Sequence, residues 1–395
     1  MRITYLTHYA ALYGANRSLL DLMLELRRRG AVEPHVLLPL EGPLTERLHA
    51  EGIPFDVIAW QPWMSERHYM GRLHHRIAQH LRYARAARQR AATNKALLPE
   101  VLRILKDRRA DAVHVNSAAV GITGMLQQAL HIPLIWHIRE LPERQYLLHI
   151  DDGRRHYGRA LRRATRLIAI SQAVQADIRR YAGAVDSTLI YNGVLDTATY
   201  QALAGHAEER WARPDPFTFL LAGLIHPSKG QTEAVQAFAR LQRAHPRTRL
   251  VIAGDGKADH LRSLIAELGL GPHVELTGFV KDIRPLLLQA HTLLMCSRNE
   301  AMGRITVEGM GSGLPVIGHA SGGTVEIVQE GRNGLLYPGG AEALADRMAA
   351  LVGDVGRARA LGLQAMRDAV ERFSVERYAG EVLEVYRSVL SRANA

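Results

Sequence analysis

Short apolar-rich runs alternate with stretches of helical length and period along the whole chain, and the pattern occurs twice. In the first half the runs fall at 3–7, 36–39, 55–59, 112–116, 133–138, 167–170 and 188–191, with helical patterns such as 16–29 and 118–130 between them. Runs this short and this apolar read as strands buried on both faces. Helices between such strands make the sheet parallel and cover it on two sides. The second half repeats the arrangement with runs at 217–222, 250–253, 274–277, 292–296, 315–318 and 335–337, each followed by a turn and a helix. The fold class is therefore α/β, built of two doubly wound, Rossmann-like domains. A length of 395 residues agrees, since it exceeds the roughly 100–200 residues of one typical domain.

Between the halves, 193–216 is polar, rich in Ala and Glu, and closes on Arg213-Pro214-Asp215-Pro216, where two prolines disfavour regular structure. The expected boundaries are a first domain at 1–194, a linker at 195–216, a second domain at 217–374, and a helical segment at 375–395 able to cross back to the first. Ligands bind beyond the carboxyl ends of strands in open parallel sheets. Two such sheets facing each other would form one interdomain cleft, with the chemistry at the strand ends.

The formal charge of +11 draws polyanions: nucleic acid, anionic lipid or phosphorylated small molecules. Nucleic acid is disfavoured, because the basic stretches carry neither zinc-finger spacing nor RNP-like aromatics. Cys296 is the only cysteine, which leaves no disulfide framework or thiolate zinc site and fits a reducing cytoplasm. Residues 1–8 have too short an apolar run for a signal peptide, and no window approaches the roughly 20 apolar residues of a membrane span. A cytoplasmic location, with peripheral attachment to the inner face of the plasma membrane as an option, is the expectation.

The most informative stretch is Cys296-Ser297-Arg298-Asn299-Glu300-Ala301-Met302-Gly303-Arg304-Ile305-Thr306-Val307-Glu308-Gly309-Met310. A strand end, a Gly-containing turn and a helix start follow one another here. Amides at a helix start, together with the helix dipole, suit a diphosphate. Glu300 and Glu308 flank that turn, and carboxylates accept paired hydrogen bonds from the vicinal diols of a ribose or hexose.

This stretch resembles the retaining glycosyltransferases of family 4, whose GT-B fold has two facing Rossmann-like lobes and whose signature is two glutamates separated by seven residues. The resemblance implies that Glu300 binds donor sugar hydroxyls, that Glu308 binds the ribose, and that the amides of Ala301, Met302 and Gly303 meet the diphosphate. Met302 stands where the family more often has Phe. The ordered block Gly313-Leu314-Pro315-Val316-Ile317, Ser321-Gly322-Gly323-Thr324-Val325-Glu326 and Asn333-Gly334-Leu335-Leu336 resembles the family's continuation, with Gly322 and Gly323 allowing close backbone approach to a ligand.

Upstream, Gly223-Leu224-Ile225-His226-Pro227-Ser228-Lys229-Gly230 is similar to a family loop whose cations neutralise the diphosphate. Lys229 keeps that charge, Leu224 replaces a common arginine, and Arg304 could supply part of what is missing. The same resemblance assigns Gly254 and Gly256 to a loop framing the base, with Thr277-Gly278-Phe279-Val280 nearby. It assigns Gly14 to a phosphate loop of the first domain, and His137 to a place beside the transferred sugar. The catalytic set it implies is Glu300, His137 and Lys229. Asn192-Gly193 resembles the family's end of the first lobe.

No Asp-x-Asp triplet is present, so no metal or other cofactor is expected. The nucleotide sugar, UDP- or GDP-linked, is a substrate. Residues 66–109 carry a dozen Lys and Arg against three acidic residues, with His68, His74, His75 and His80 among them. Leu73, Ile77, Leu81 and Ala84 recur at helical spacing flanked by Arg72, Arg76, Arg82, Arg85 and Arg88, a basic amphipathic pattern suited to an anionic membrane surface. The four histidines lack the carboxylates or cysteines of a metal site.

These readings converge on a metal-independent, retaining hexosyltransferase acting from a nucleotide sugar onto a hydroxyl of a glycan or lipid-linked acceptor in cell-envelope or exopolysaccharide synthesis. The alternatives are a GT-B-fold UDP-N-acetylglucosamine 2-epimerase and a non-catalytic nucleotide-sugar binding or scaffold protein.

Overall fold

The computed structural model describes residues 1–67, 73–212 and 214–393; His68, Arg72 and Arg213 lie outside the described residues. The chain divides into two compact units, Met1–Tyr191 with Tyr378–Ala395, and Asn192–Arg377.

The first unit holds β1 (Arg2–Leu6), β2 (Glu33–Leu38), β3 (Phe55–Val57), β4 (Met64–Ser65), β5 (Ala112–Val115), β6 (Leu134–Ile138), β7 (His149–Ile150), β8 (Arg166–Ala169) and β9 (Thr188–Leu189). Seven of these form one parallel sheet in the order β3-β2-β1-β5-β6-β8-β9. β4 and β7 pair antiparallel as a separate ribbon. Two residues a side are too few for a periodic signal, so sequence reading passes over that ribbon.

The second unit holds β10 (Phe217–Ala222), β11 (Thr248–Ala253), β12 (Val274–Gly278), β13 (Thr292–Met295), β14 (Val316–His319) and β15 (Gly334–Tyr337). They form a parallel sheet in the order β12-β11-β10-β13-β14-β15. Numbered within its own sheet, each unit runs 3-2-1-4-5-6, the Rossmann order, with a seventh strand added in the first. Each therefore has one switch point where the winding reverses and the loops diverge: between β1 and β5 in the first unit, between β10 and β13 in the second.

The core of the first unit gathers Ile3, Tyr5, Val36, Leu38, Leu19, Leu22 and Leu26 with Tyr378, Val382, Tyr386 and Val389 from the C-terminal helix Val375–Ala393. The spacing of those four helical residues is one buried stripe. Tyr386 Oη lies 2.7 Å from His114 Nδ1 and 3.3 Å from Tyr5 Oη, so the helix is also tied to β1 and β5 through polar groups.

The stretch read as a linker, in its described residues, belongs to the second unit and carries regular structure. It carries the helix Thr197–Ala204, capped by Asp196 Oδ1 accepting from the Thr199 amide at 2.6 Å. A 3-10 turn, Glu209–Ala212, follows. Arg210 is buried there and donates to the carbonyls of Ala290 (3.0 Å) and Ser312 (2.6 Å), an anchoring of a cation that composition alone conceals.

Candidate functional site

Both informative sequence blocks lead into the switch point of the second unit. The chain leaving β10 runs through Gly223 to Lys229, and the chain leaving β13 runs through Cys296 to Gly303. The loops are stitched together: the Arg298 amide donates to the Ser228 carbonyl at 3.2 Å, and His226 Nδ1 accepts from the Ser228 amide at 3.2 Å. Gly230 has φ +73°, and a Cβ there would stand 2.5 Å from the Cys296 carbonyl oxygen, so only glycine lets the two chains meet.

This meeting brings Lys229 to Glu300, 71 positions away in sequence, with Nζ 2.6 Å from Oε2. Their side chains keep 19% and 9% of their surface exposed, so the pair is largely withdrawn from water yet still accessible. Gly303, at φ +80°, turns the chain into the helix Arg304–Gly311. Glu308 sits on that helix, buried, its Oε1 3.8 Å from Arg304 Nε.

The structure gives Arg304, Met302, Gly322 and Gly323 contacts that the sequence did not show. Arg304 donates to the carbonyls of Gly193 (3.2 Å) and Val194 (3.0 Å), so its guanidinium is engaged in fastening the start of the second unit instead of standing ready for a diphosphate. Met302 does similar work, its sulfur accepting from the Asn192 amide at 3.3 Å. Gly322 and Gly323 close on the signature loop itself: a Cβ on either would lie 2.4 and 2.2 Å from the carbonyl oxygens of Glu300 and Ala301 respectively. Their smallness lets the Gly323 amide donate to the Glu300 carbonyl at 2.7 Å.

Asn299, at φ +54°, precedes Glu300 in a left-handed turn that asparagine tolerates better than most residues. Its amide donates to Ser321 Oγ at 2.9 Å, and that hydroxyl lies 2.8 Å from His319 Nδ1. Neither Ser321 nor His319 carries a sequence signal as a supporting residue, because their relation to Asn299 is purely spatial. Gly254 lies where a Cβ would meet the Gly223 carbonyl oxygen at 1.9 Å, and the Ile225 amide donates to the Asp255 carbonyl at 2.7 Å, so the Gly254–Gly256 turn backs the β10 loop. Leu224 is half-exposed on that loop, its carbonyl accepting from Gln231 Nε2 at 2.9 Å.

The first unit's candidates are placed differently. Gly14 opens the helix Gly14–Arg28. His137 lies within β6 with no exposed surface, its Nδ1 3.3 Å from an Arg139 nitrogen, and so presents nothing to a sugar in this structure. Burial, the Arg139 charge and neighbouring His114 hold its imidazole neutral, well below the usual histidine range. Arg139 in turn donates to Asn116 Oδ1 (2.6 Å) and Tyr378 Oη (2.7 Å).

Two groups at the same strand ends escape sequence reading. His8 follows β1, and burial lowers its pKa to about 4. Glu140 follows β6, accepts from the Ala118 amide at 3.0 Å, and is raised by burial above the ordinary carboxylate range. Each lies two residues beyond a buried strand that borders or neighbours the switch point, which is the signal that could have found them. Among the described residues no three His, Cys, Asp or Glu side chains cluster as a metal site.

Two Rossmann-ordered units in one chain, the second with a glutamate–lysine pair at its switch point, are the architecture of the GT-B class. Residues 207–367 match the family model for glycosyl transferases group 1, and residues 13–197 match that for glycosyltransferase family 4. The chain belongs to this glycosyltransferase family. It is 32% identical over 185 residues to EpsD of Bacillus subtilis, a match covering 46% of this chain and 48% of that protein. The chain thus spans about half the length of that relative. It is 29% identical over 317 residues to a D-inositol 3-phosphate glycosyltransferase of Pseudarthrobacter chlorophenolicus, covering 72% of each. Among solved structures, Anabaena HepE in complex with UDP shares the fold with TM-score 0.78 and 24% identity, covering 98% of this chain and all of that one (100%).

Proposed function

We propose that the protein transfers a hexose, with retention and without a metal, from a UDP- or GDP-linked donor to a hydroxyl of a cell-envelope or exopolysaccharide acceptor. A lipid-linked acceptor met at an anionic membrane surface is part of this reading. The observation that carries it is the Lys229–Glu300 pair at the second unit's switch point, with Glu308 on the adjoining helix.

The pair is suited to a donor that exchanges its partners. A diphosphate approaching this switch point competes for the Lys229 ammonium, whose charge then offsets the negative charge growing on the leaving group. Glu300, released from Lys229, is left to accept from sugar hydroxyls, and Glu308 from those of the ribose. Gly223 would give phosphates close access to backbone, with Gly254 and Gly256 framing the base loop, and Gly14 would do the same in the first unit's own loop. His137, sealed against Arg139 within the first unit, is given no step in this reading. The relatives favour this reading: one match, an exopolysaccharide phosphotransferase of Streptomyces coelicolor, is named for exopolysaccharide chemistry, and HepE was solved with UDP.

The test is a thermal-shift screen against UDP, GDP, ADP and their common sugar conjugates, with and without EDTA. A ligand at a hundredfold its dissociation constant adds about 2.7 kcal/mol to the folded state. Stabilisation by one nucleotide family, unchanged by EDTA and lost in Glu308→Ala, is the expected result. No shift with any nucleotide overturns the donor site. Donor binding without transfer points to a scaffold, and epimer formation from UDP-N-acetylglucosamine alone to an epimerase.

A further inference from the structure

The helix Leu73–Asp107 has two stripes that face different environments. Ala87, Asn94 and Val101, seven apart, are buried together with Ile104 and Leu105. Asn94 exchanges two hydrogen bonds with the Gln61 backbone, at 2.7 and 2.9 Å, and Arg90 grips Asp151 at 2.9 and 2.7 Å. Those contacts root the C-terminal two-thirds of the helix on the first unit.

At roughly 100° per residue, Ile77 and Leu81 fall on the side opposite to this rooted stripe, in one sector with His74, Arg85 and Arg88. Ile77 is 53% exposed and Leu81 64%. Arg76, Arg82, Arg85, Arg88 and Lys95 are exposed too, and no Asp or Glu occurs between Arg67 and Pro99. An ordered helical end thus offers two branched apolar side chains one turn apart, ringed by cations, to something outside the chain.

We propose that this end of the helix docks on an anionic phospholipid surface, with Ile77 and Leu81 at the boundary between headgroups and acyl chains and the arginines on lipid phosphates. The chemistry selects a membrane over the other polyanions. Nucleic acid would be met by the cations alone and leaves Ile77 and Leu81 without purpose, whereas a bilayer interface takes an apolar strip and its basic flanks together. Arginine suits the flanks, since its stem lies along apolar surface while its guanidinium reaches out to phosphate. The proposal deepens the reading of a lipid-linked acceptor, on which it rests for its biological purpose but not for its geometry.

Flotation of the full chain with vesicles tests it without donor or turnover. Vesicles of equal phosphatidylglycerol and phosphatidylcholine should carry the protein up the gradient, pure phosphatidylcholine vesicles should bind it at least about tenfold less, and high salt should release it. Ile77→Ser/Leu81→Ser should weaken anionic binding by about tenfold, as should Arg76→Gln/Arg82→Gln/Arg85→Gln/Arg88→Gln. All six side chains are exposed, and an unchanged thermal midpoint confirms folding. No flotation of wild type overturns the proposal, as does undiminished binding by the Ile77/Leu81 variant. Retention on an RNA oligonucleotide without vesicle binding assigns the arginines to nucleic acid instead and overturns it as well. A nucleotide-induced thermal shift that survives failed flotation leaves the donor site standing, and flotation without any nucleotide shift leaves the docking surface standing.

Discussion

The two units wind their sheets in the same order yet treat charge at the strand ends in opposite ways. The second unit leaves its cation and carboxylate, Lys229 and Glu300, accessible at the switch point. The first seals its polar groups inside: His114 and His137 have no exposed surface, Arg139 is buried, and Tyr378 and Tyr386 close the set from the C-terminal helix. An accessible ion pair can trade a partner for a ligand, whereas a sealed network resists any change because each member would be left unsatisfied in low dielectric. The comparison predicts that substitutions in the second unit act on activity and those in the first on stability.

The largest effect should come from Lys229→Ala. Removing a fixed positive charge aimed at a leaving group typically costs about a hundred- to a thousandfold in kcat. Initial rates with saturating donor and acceptor would show it, with a smaller fall in the unfolding midpoint, because Lys229 is itself part-exposed and water can enter the space it vacates beside Glu300. A variant that instead loses its fold while wild-type kinetics persist in the surviving fraction would break the contrast between the units.

Arg139→Met should do the reverse. It strips hydrogen bonds from Asn116 and Tyr378 in the interior and should cost about 2–4 kcal/mol of stability, read from the urea midpoint of the first unit's tryptophans. If the same substitution leaves stability intact and abolishes donor turnover, the sealed network belongs to catalysis.

The network also has a pH signature. His8, His114 and His137 are held neutral by burial, with folded pKa values depressed below the unfolded value of about 6.5. Below that value the unfolded chain binds protons that the native chain refuses, so stability is complete above about pH 6.5 and declines as pH falls toward about 4, where His8 itself titrates. Glu140, raised by burial, opposes part of that decline. Urea midpoints between about pH 7 and 5 should therefore fall, with a shallower slope in His137→Gln; a flat profile would mean that these imidazoles meet water.

Most of what fixes the backbone was legible in the sequence. The thirteen described strands of the two parallel sheets sit where the apolar runs fall; most are buried along their length and so must be apolar, while β3, β9 and β12 are only partly buried. Glu300 and Glu308 could be picked out because a glycine-bearing turn marks a strand end, and their roles, like the choice of Lys229, came from the resemblance to the family's motifs. The direction of a side chain was not legible. Arg304 lies in the signature yet spends its guanidinium on Gly193 and Val194, and His137 lies one residue inside β6, on the buried side of the chain's exit. The ability of the C-terminal segment to cross back to the first domain was legible only as an option, since a stripe of Tyr378, Val382, Tyr386 and Val389 specifies a buried face and not which core receives it.

The smallest effect sharpens the comparison most, because it asks whether the accessible site has a sealed support of its own. The Asn299 turn that presents Glu300 is held by Ser321 Oγ, itself beside His319 Nδ1, and both Ser321 and His319 are at least half-buried. Ser321→Ala leaves the Asn299 amide without that acceptor, a loss of about 1 kcal/mol or roughly fivefold in equilibrium terms. Because the turn carries the carboxylate and not the ammonium, the loss should raise the donor KM about fivefold, leave kcat nearly unchanged, and be largely restored in Ser321→Thr, whose hydroxyl can accept the same amide. Steady-state rates across donor concentration separate the cases. A fall in kcat at constant KM would place Ser321 in the chemical step, and a lowered unfolding midpoint with unchanged KM would make it part of the second unit's scaffold alone.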